Sequence, residues 1–257
     1  MTADDFLITR RTLARLDEWF AQLARPFLPL KMVELDDQRA GRFWWNFREE
    51  NARTVMIGKA VRLISGIRAA MLLADHGYVT ECGTVLRTVS DYTIEIGSLI
   101  DSVTGTEGPT TAQNEFVRQY FLPMAESPEA FASGARERWV ARKEIFAGFI
   151  RWAAQFDKNS EIEKLQQYTE YLLMGYDKYV HGSYITAMEL YNGETESFML
   201  GGNDADFVRD IAKRSVASKL HEAITVFVSL AALDGDIRLV HSIGAVGLML
   251  YDSGELS

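Results

Sequence analysis

Cysteine is almost absent from this chain of 257 residues, since Cys82 is the only one. A lone thiol closes no internal disulfide, and a Cys-rich zinc site is excluded. Cys82 falls on an apolar helical stripe, where an inert core thiol is the ordinary reading. Proline is scarce, at five residues, so little interrupts long helices. Histidine is limited to His76, His181, His221 and His241. None has glutamate three residues before it, which removes the Glu-x-x-His pairs of a di-iron bundle. His221-Glu222 lacks the second histidine of a His-Glu-x-x-His zinc site, and no Gly-x-Ser-x-Gly elbow occurs. Gly201-Gly202-Asn203-Asp204 lacks the lysine of a phosphate loop and reads as the exit from a hairpin. No metal and no cofactor is therefore expected. Long apolar runs are missing too. The longest, residues 223–233, falls well short of the ~20 residues that span a bilayer. The start, Met-Thr-Ala-Asp-Asp, lacks the basic and apolar stretches of a secretory signal. No membrane association is expected, and the cytoplasm is the simplest location. Positive charge is in deficit, with 27 Lys and Arg against 36 Asp and Glu, for a net charge of −9. That excludes a generic nucleic-acid binder and leaves room only for a local basic site. Arg136, Arg138, Arg142 and Lys143 cluster on one expected helix and read as its solvated face.

What is present is enough apolar residue, 47 %, to bury a full core. Apolar positions recur at helical spacing through residues 4–25, 53–76, 78–100, 112–125, 135–156, 161–181, 204–233 and 237–251. The expected fold is all-α: a multi-helix bundle of about seven or eight helices forming a single domain over residues 1–257. The short link at Gly77 predicts an antiparallel helical hairpin. Residues 101–111 read as a loop, either a hinge or a surface excursion. A short helix is expected over residues 38–50. Its Phe43-Trp44-Trp45-Asn46-Phe47 run needs cover from the core or a partner, and it offers a patch for a homodimer. Asn192-Gly193 signals a small β-hairpin insertion over about residues 188–200, with Glu189 facing Glu196 across a two-residue turn. Asn203 or Asp204 is placed to cap the helix that follows.

The strongest candidate site lies in residues 168–184, where tyrosines recur through a helix that Gly182 ends. Asp177 and His181 sit one turn apart. A carboxylate and the carbonyls of a helix end both attract an imidazolium, so His181 is a candidate proton donor or acceptor, and a helix-end structural histidine is the alternative. Arg87 and Asp91 form a second pair, on the side opposite the stripe of Cys82, Leu86, Val89 and Thr93. That side meets either solvent, as a surface ion pair, or another helix or cleft. Tyr168, Tyr171, Tyr176, Tyr179 and Tyr184 are candidate base-stacking groups or core residues with hydroxyls at the rim.

Two segments carry a resemblance. Leu86-Arg87-Thr88-Val89-Ser90-Asp91, and Tyr171 through Tyr179-Val180-His181-Gly182-Ser183, together resemble an uncharacterised group of bacterial all-helical proteins. That group is distantly similar to the HEPN superfamily, whose members include RNA-cleaving toxins and effectors of phage defence. The likeness covers roughly residues 53–184. It implies a helical fold, a defence or toxin–antitoxin context and, for an enzyme, metal-independent RNA cleavage. His181 would then be the acid or base, Arg87 the phosphate partner and Asp91 its companion. Tyr171, Asp177, Lys178 and Tyr179 would line the binding surface. Asp91 stands where the group usually carries glutamate, and no arginine precedes His181 by the four to six residues usual in HEPN ribonucleases. Three functions stay open on the sequence. They are an RNA-targeting effector, a non-catalytic interaction protein, and a small-molecule sensor with an aromatic pocket around Tyr171 and Tyr179.

Overall fold

The computed structural model describes residues 6–34, 43–121, 140–156 and 161–256. Among them the chain forms nine α-helices and two small antiparallel hairpins. The helices are α1 (Leu7–Ala24), α2 (Ala52–Asp75), α3 (Val79–Thr104), α4 (Thr111–Tyr120), α5 (Arg142–Ala153), α6 (Ile162–Val180), α7 (Tyr184–Met188), α8 (Asp206–Leu233) and α9 (Ile237–Asp252). The strands are β1 (Lys31–Glu34), β2 (Phe43–Asn46), β3 (Tyr191–Asn192) and β4 (Ser197–Phe198).

Local chemistry sets the ends of the helices. Asn51 Oδ1 accepts the Thr54 N–H at 3.1 Å, and the Asn51 N–H donates to Thr54 Oγ1 at 3.2 Å, a reciprocal cap that starts α2. Thr110 and Gln113 do the same for α4. At the far end of α2, Gly77 adopts φ +76°. There the Tyr78 N–H returns to the Leu73 carbonyl at 2.9 Å, closing the helix and turning the chain into α3. The same closure ends α6 at Gly182, where the Ser183 N–H reaches the Lys178 carbonyl, and ends α8 at Gly235.

α3 is the central helix. It packs against α2, α5, α6 and α8, while α9 lies antiparallel along α8. Trp19, Met56, Leu63, Ile67, Leu86, Leu99, Leu220 and Phe227 fill the main core. A smaller cluster, Ile94, Ile145, Phe146, Ile150 and Leu173, seats α5 and α6 on α3. By length and apolar composition α8 matches a membrane-spanning helix, but 56 % of that window is buried inside the bundle. It does the work of a core helix.

Several expectations need correction. Residues 43–46 form a strand instead of belonging to a helix over 38–50; residues 38–42 lie outside those described. Lys31–Glu34 pairs with this strand, and Met32 stands opposite Trp45. A run of aromatic residues favours a pleated strand once a partner is beside it. Trp45 remains 60 % exposed and Phe47 rests against the core. The loop expected from residue 101 begins only at Gly105, because Asp101 is held inside α3 by Arg151 at 2.6 Å. Gly193 to Glu196 form a four-residue turn, with Tyr191 opposite Phe198, so Glu189 does not face Glu196. Asn192 Oδ1 accepts the Glu194 and Thr195 N–H groups, and this widens the turn. Asn203 does not sit at the N-cap of α8, which is Ala205. It is buried and anchors the hairpin exit on the α2–α3 turn, its N–H donating to the Gly77 carbonyl at 2.8 Å. The gaps expected between the stretches ending at 125 and 156 and those starting at 135 and 161, and Arg136 and Arg138, lie outside the described residues.

Candidate functional site

Arg87 points from α3 into the junction with α5 and α6, and its side chain is only 6 % exposed. An unpaired guanidinium buried this far would cost several kcal/mol, so its partners matter. Nε donates to Asp177 Oδ1 at 2.5 Å. Nη1 lies 2.6 Å from Asp91 Oδ1, an ionic contact outside hydrogen-bond geometry. Arg142 Nη2 reaches the same Asp91 oxygen at 2.8 Å. Burial pulls the Arg87 pKa down, but the two carboxylates of Asp91 and Asp177 outweigh it and hold the pKa above its ordinary value. Arg87 is therefore a fixed cation that joins α3 to α6.

The polar row on α3 continues one turn on. Glu95 Oε2 lies 2.8 Å from Lys59 Nζ on α2. The same ammonium stands 5.5 Å from the Tyr92 ring centroid, 5.3 Å from Phe116 and 5.4 Å from Tyr120. Burial raises the Glu95 pKa, and the Lys59 charge opposes the rise.

A cavity of about 310 Å³ opens beside the Arg87 clamp, between α5 and α6. Its apolar wall is Phe146, Ala147, Leu173 and Met174; Arg142 and Lys143 lie on the α5 side, and Gln166, Glu170 and Asp177 on the α6 side. The volume is at the low end for small-molecule sites. Among the described residues no group of three His, Cys, Asp or Glu side chains is arranged to hold a metal ion.

The residues expected from the sequence separate into two sets. Arg87, Asp91 and Asp177 come together in one clamp. Asp177 spends Oδ1 on Arg87, and only its backbone carbonyl meets His181, accepting that N–H at 3.0 Å. The His181 ring is exposed at the helix end and makes no hydrogen bond to another described residue. Lys178 is also exposed. Tyr171 and Tyr179 do not share a pocket. Tyr171 is 67 % exposed on the outer face of α6, whereas the Tyr179 ring lies against Gly83 so closely that a Cβ there would meet it at 2.5 Å. Burial, reinforced by the nearby Glu189 carboxylate, pushes the Tyr179 phenol up to about 12. Tyr176 is also turned inward, with Lys219 Nζ 5.2 Å from its ring, and burial raises its pKa. The sequence reading placed Arg142 on a solvated face and missed its ion pair with Asp91, 51 positions away, and it missed the Lys59 cage, whose rings come from two other helices. Neither leaves a local spacing signal.

No family model matches this chain, and no curated protein or solved structure matches it either. The HEPN resemblance thus rests on its short motifs alone.

Proposed function

We propose that this chain is a non-catalytic interaction module that holds a polypeptide partner on the α5–α6 face. One observation carries the reading: α6 turns Tyr168, Tyr171 and Met174 outward, all more than half exposed, and Met174 also borders the cavity. Tyrosine supplies contact area at low entropic cost and methionine supplies adaptable contact, and clusters of them left in solvent mark docking surfaces. The cavity takes an apolar side chain, and basic and acidic groups on its two sides orient the segment that carries it. Arg87 fits this role as a rigid brace beneath the face. As a phosphate ligand it would first have to leave two carboxylates.

A second reading, an RNA-directed effector of defence or toxin type, draws on a different observation. The Arg87–Asp177 bond lands on the turn of α6 immediately before His181. One experiment separates the two. A photo-crosslinking amino acid replaces Tyr171 in the producing cell, with Leu72 on α2 as an exposed control. The interaction reading expects one discrete protein adduct at position 171, absent at 72 and lost on adding Met174→Glu, with His181→Ala leaving it intact. It fails if position 171 yields nothing beyond the control. The effector reading expects His181→Ala to cut RNA cleavage or toxicity ~100-fold or more at unchanged melting temperature, and unchanged activity sinks it.

A further inference from the structure

The outer face of α9 carries a pattern that the core does not explain. Leu239, Ile243, Val246 and Leu250 point inward and are buried. On the other side, Ile237, His241, Gly244, Leu248 and Tyr251 follow one another at alternating steps of four and three residues. That is the spacing of a coiled-coil seam. Ile237 is 61 % exposed, Leu248 66 % and Tyr251 66 %. A Cβ built on Gly244 would meet no atom within 4 Å. Among the described residues no packing contact calls for this register.

The stripe is roughly symmetric about its centre. Gly244 is its midpoint. Ile237 and Tyr251 lie at equal distances on either side, and His241 and Leu248 nearly so. Laid antiparallel on a second copy about a two-fold axis at Gly244, Ile237 meets Tyr251 of the other copy, His241 meets Leu248, and the two glycines meet each other. The flank agrees. Arg238 and Asp252 are both exposed, each follows a seam residue, and neither has an ion-pair partner among the described residues. Residues on this flank face their own kind across an antiparallel pair, so Arg238 of each copy lies opposite Asp252 of the other. The charged flank closes under one two-fold operation, which favours a second copy over a partner of unrelated sequence. Tyr251 also leans toward α8, its ring centroid 6.1 Å from that of His221, so the neighbouring helix widens the surface.

We infer that α9 is a homodimer seam, formed by two copies of this chain packed antiparallel through Ile237, His241, Gly244, Leu248 and Tyr251, with Arg238–Asp252 pairs at both ends. This interface is separate from the α5–α6 face and stands whether or not that face binds a partner.

Cysteine scanning tests it, because the native Cys82 is buried. With helix axes about 8–10 Å apart, the two Cα atoms of residue 244 come within the ~4–7 Å reach of a disulfide. Two copies of residue 237 lie ~20 Å apart along the axis and cannot link. Mild oxidation of Gly244→Cys should therefore give a disulfide dimer, while Ile237→Cys gives none. By sedimentation the native protein should rise above its 29.0 kDa chain mass at tens of micromolar. Leu248→Glu should weaken dimerisation more than tenfold at an unchanged helical spectrum. Arg238→Glu and Asp252→Arg should each weaken it, and the two together should restore it. A native protein that stays monomeric overturns the inference. So does Ile237→Cys linking as readily as Gly244→Cys, or a charge swap that fails to rescue.

Discussion

Arg87 tests how a buried charge is held, because its removal and the removal of its partners are not equivalent. Asp91 and Asp177 are 38 % and 42 % exposed. If Arg87 is replaced by Met, both carboxylates turn to water, and the loss should be about 1 kcal/mol. If both carboxylates become Ala, the guanidinium stays buried with no acceptor, and the loss should be about 3 kcal/mol. Urea unfolding of the two variants checks this, and equal losses would show that Arg87 is not desolvated. The sequence displayed half of this clamp. Arg87 and Asp91 one turn apart on α3 are a local pattern; Asp177, ninety positions on, is not. The helix spacing gave Asp177 to His181 because nothing local revealed that α3 would present a stronger cation. The inert reading of Cys82 stands: it is buried, and burial pushes its thiol up to about 12.

At the scale of elements, close approach to α3 depends on missing side chains. A Cβ on Gly97 would lie 2.5 Å from the Trp152 ring and 2.8 Å from Phe149, while one on Gly175 of α6 would meet nothing within 4 Å. Both sit inside helices, where Ala gains roughly 1 kcal/mol over Gly from propensity. Gly175→Ala should therefore stabilise by about 0.5–1 kcal/mol. Gly97→Ala should destabilise by about 1–2 kcal/mol, because α5 must move away. Thermal melts of the pair should shift in opposite directions, and a gain at both sites would mean that α5 is loosely seated. Helices were the legible part of this sequence, since apolar period, glycine stops and side-chain caps all act within a turn or two. The β1–β2 hairpin was not. Phe43 to Phe47 reads equally as a buried helix or as a strand until Lys31–Glu34 is known to lie beside it. The 193–196 turn was misjudged because Asn192 bonds its own backbone ahead instead of forming the tight turn.

Across the whole molecule, one polar row on α3 links three neighbouring helices to the centre: Arg87 to α6, Asp91 to α5, and Glu95 to Lys59 on α2. The last link predicts how stability depends on pH. Glu95 already has a pKa above its ordinary 4.5 because burial disfavours the carboxylate, and Lys59 holds that rise down. Lys59→Met removes the cation, leaves an apolar side chain among Tyr92, Phe116 and Tyr120, and lets the Glu95 pKa climb further. A carboxyl group whose folded pKa lies above its unfolded one stabilises most below the unfolded value, and that contribution is lost as pH rises through the folded pKa. The deficit of Lys59→Met against the parent protein should therefore be small near pH 4.5, about 1 kcal/mol from the lost ring contacts. It should grow as pH rises and level off at about 2–3 kcal/mol near pH 7.5, where a carboxylate without its cation is buried. Comparing variant and parent at each pH cancels the titration of the other acidic groups. In the Glu95→Gln background the Lys59→Met deficit should be flat with pH, because no group at that position then titrates. Urea unfolding of the parent, both single variants and the double variant across this range decides the matter: a deficit that is constant with pH, or whose growth with pH persists in the Glu95→Gln background, would mean that Lys59 stabilises the fold through its aromatic contacts and not through Glu95.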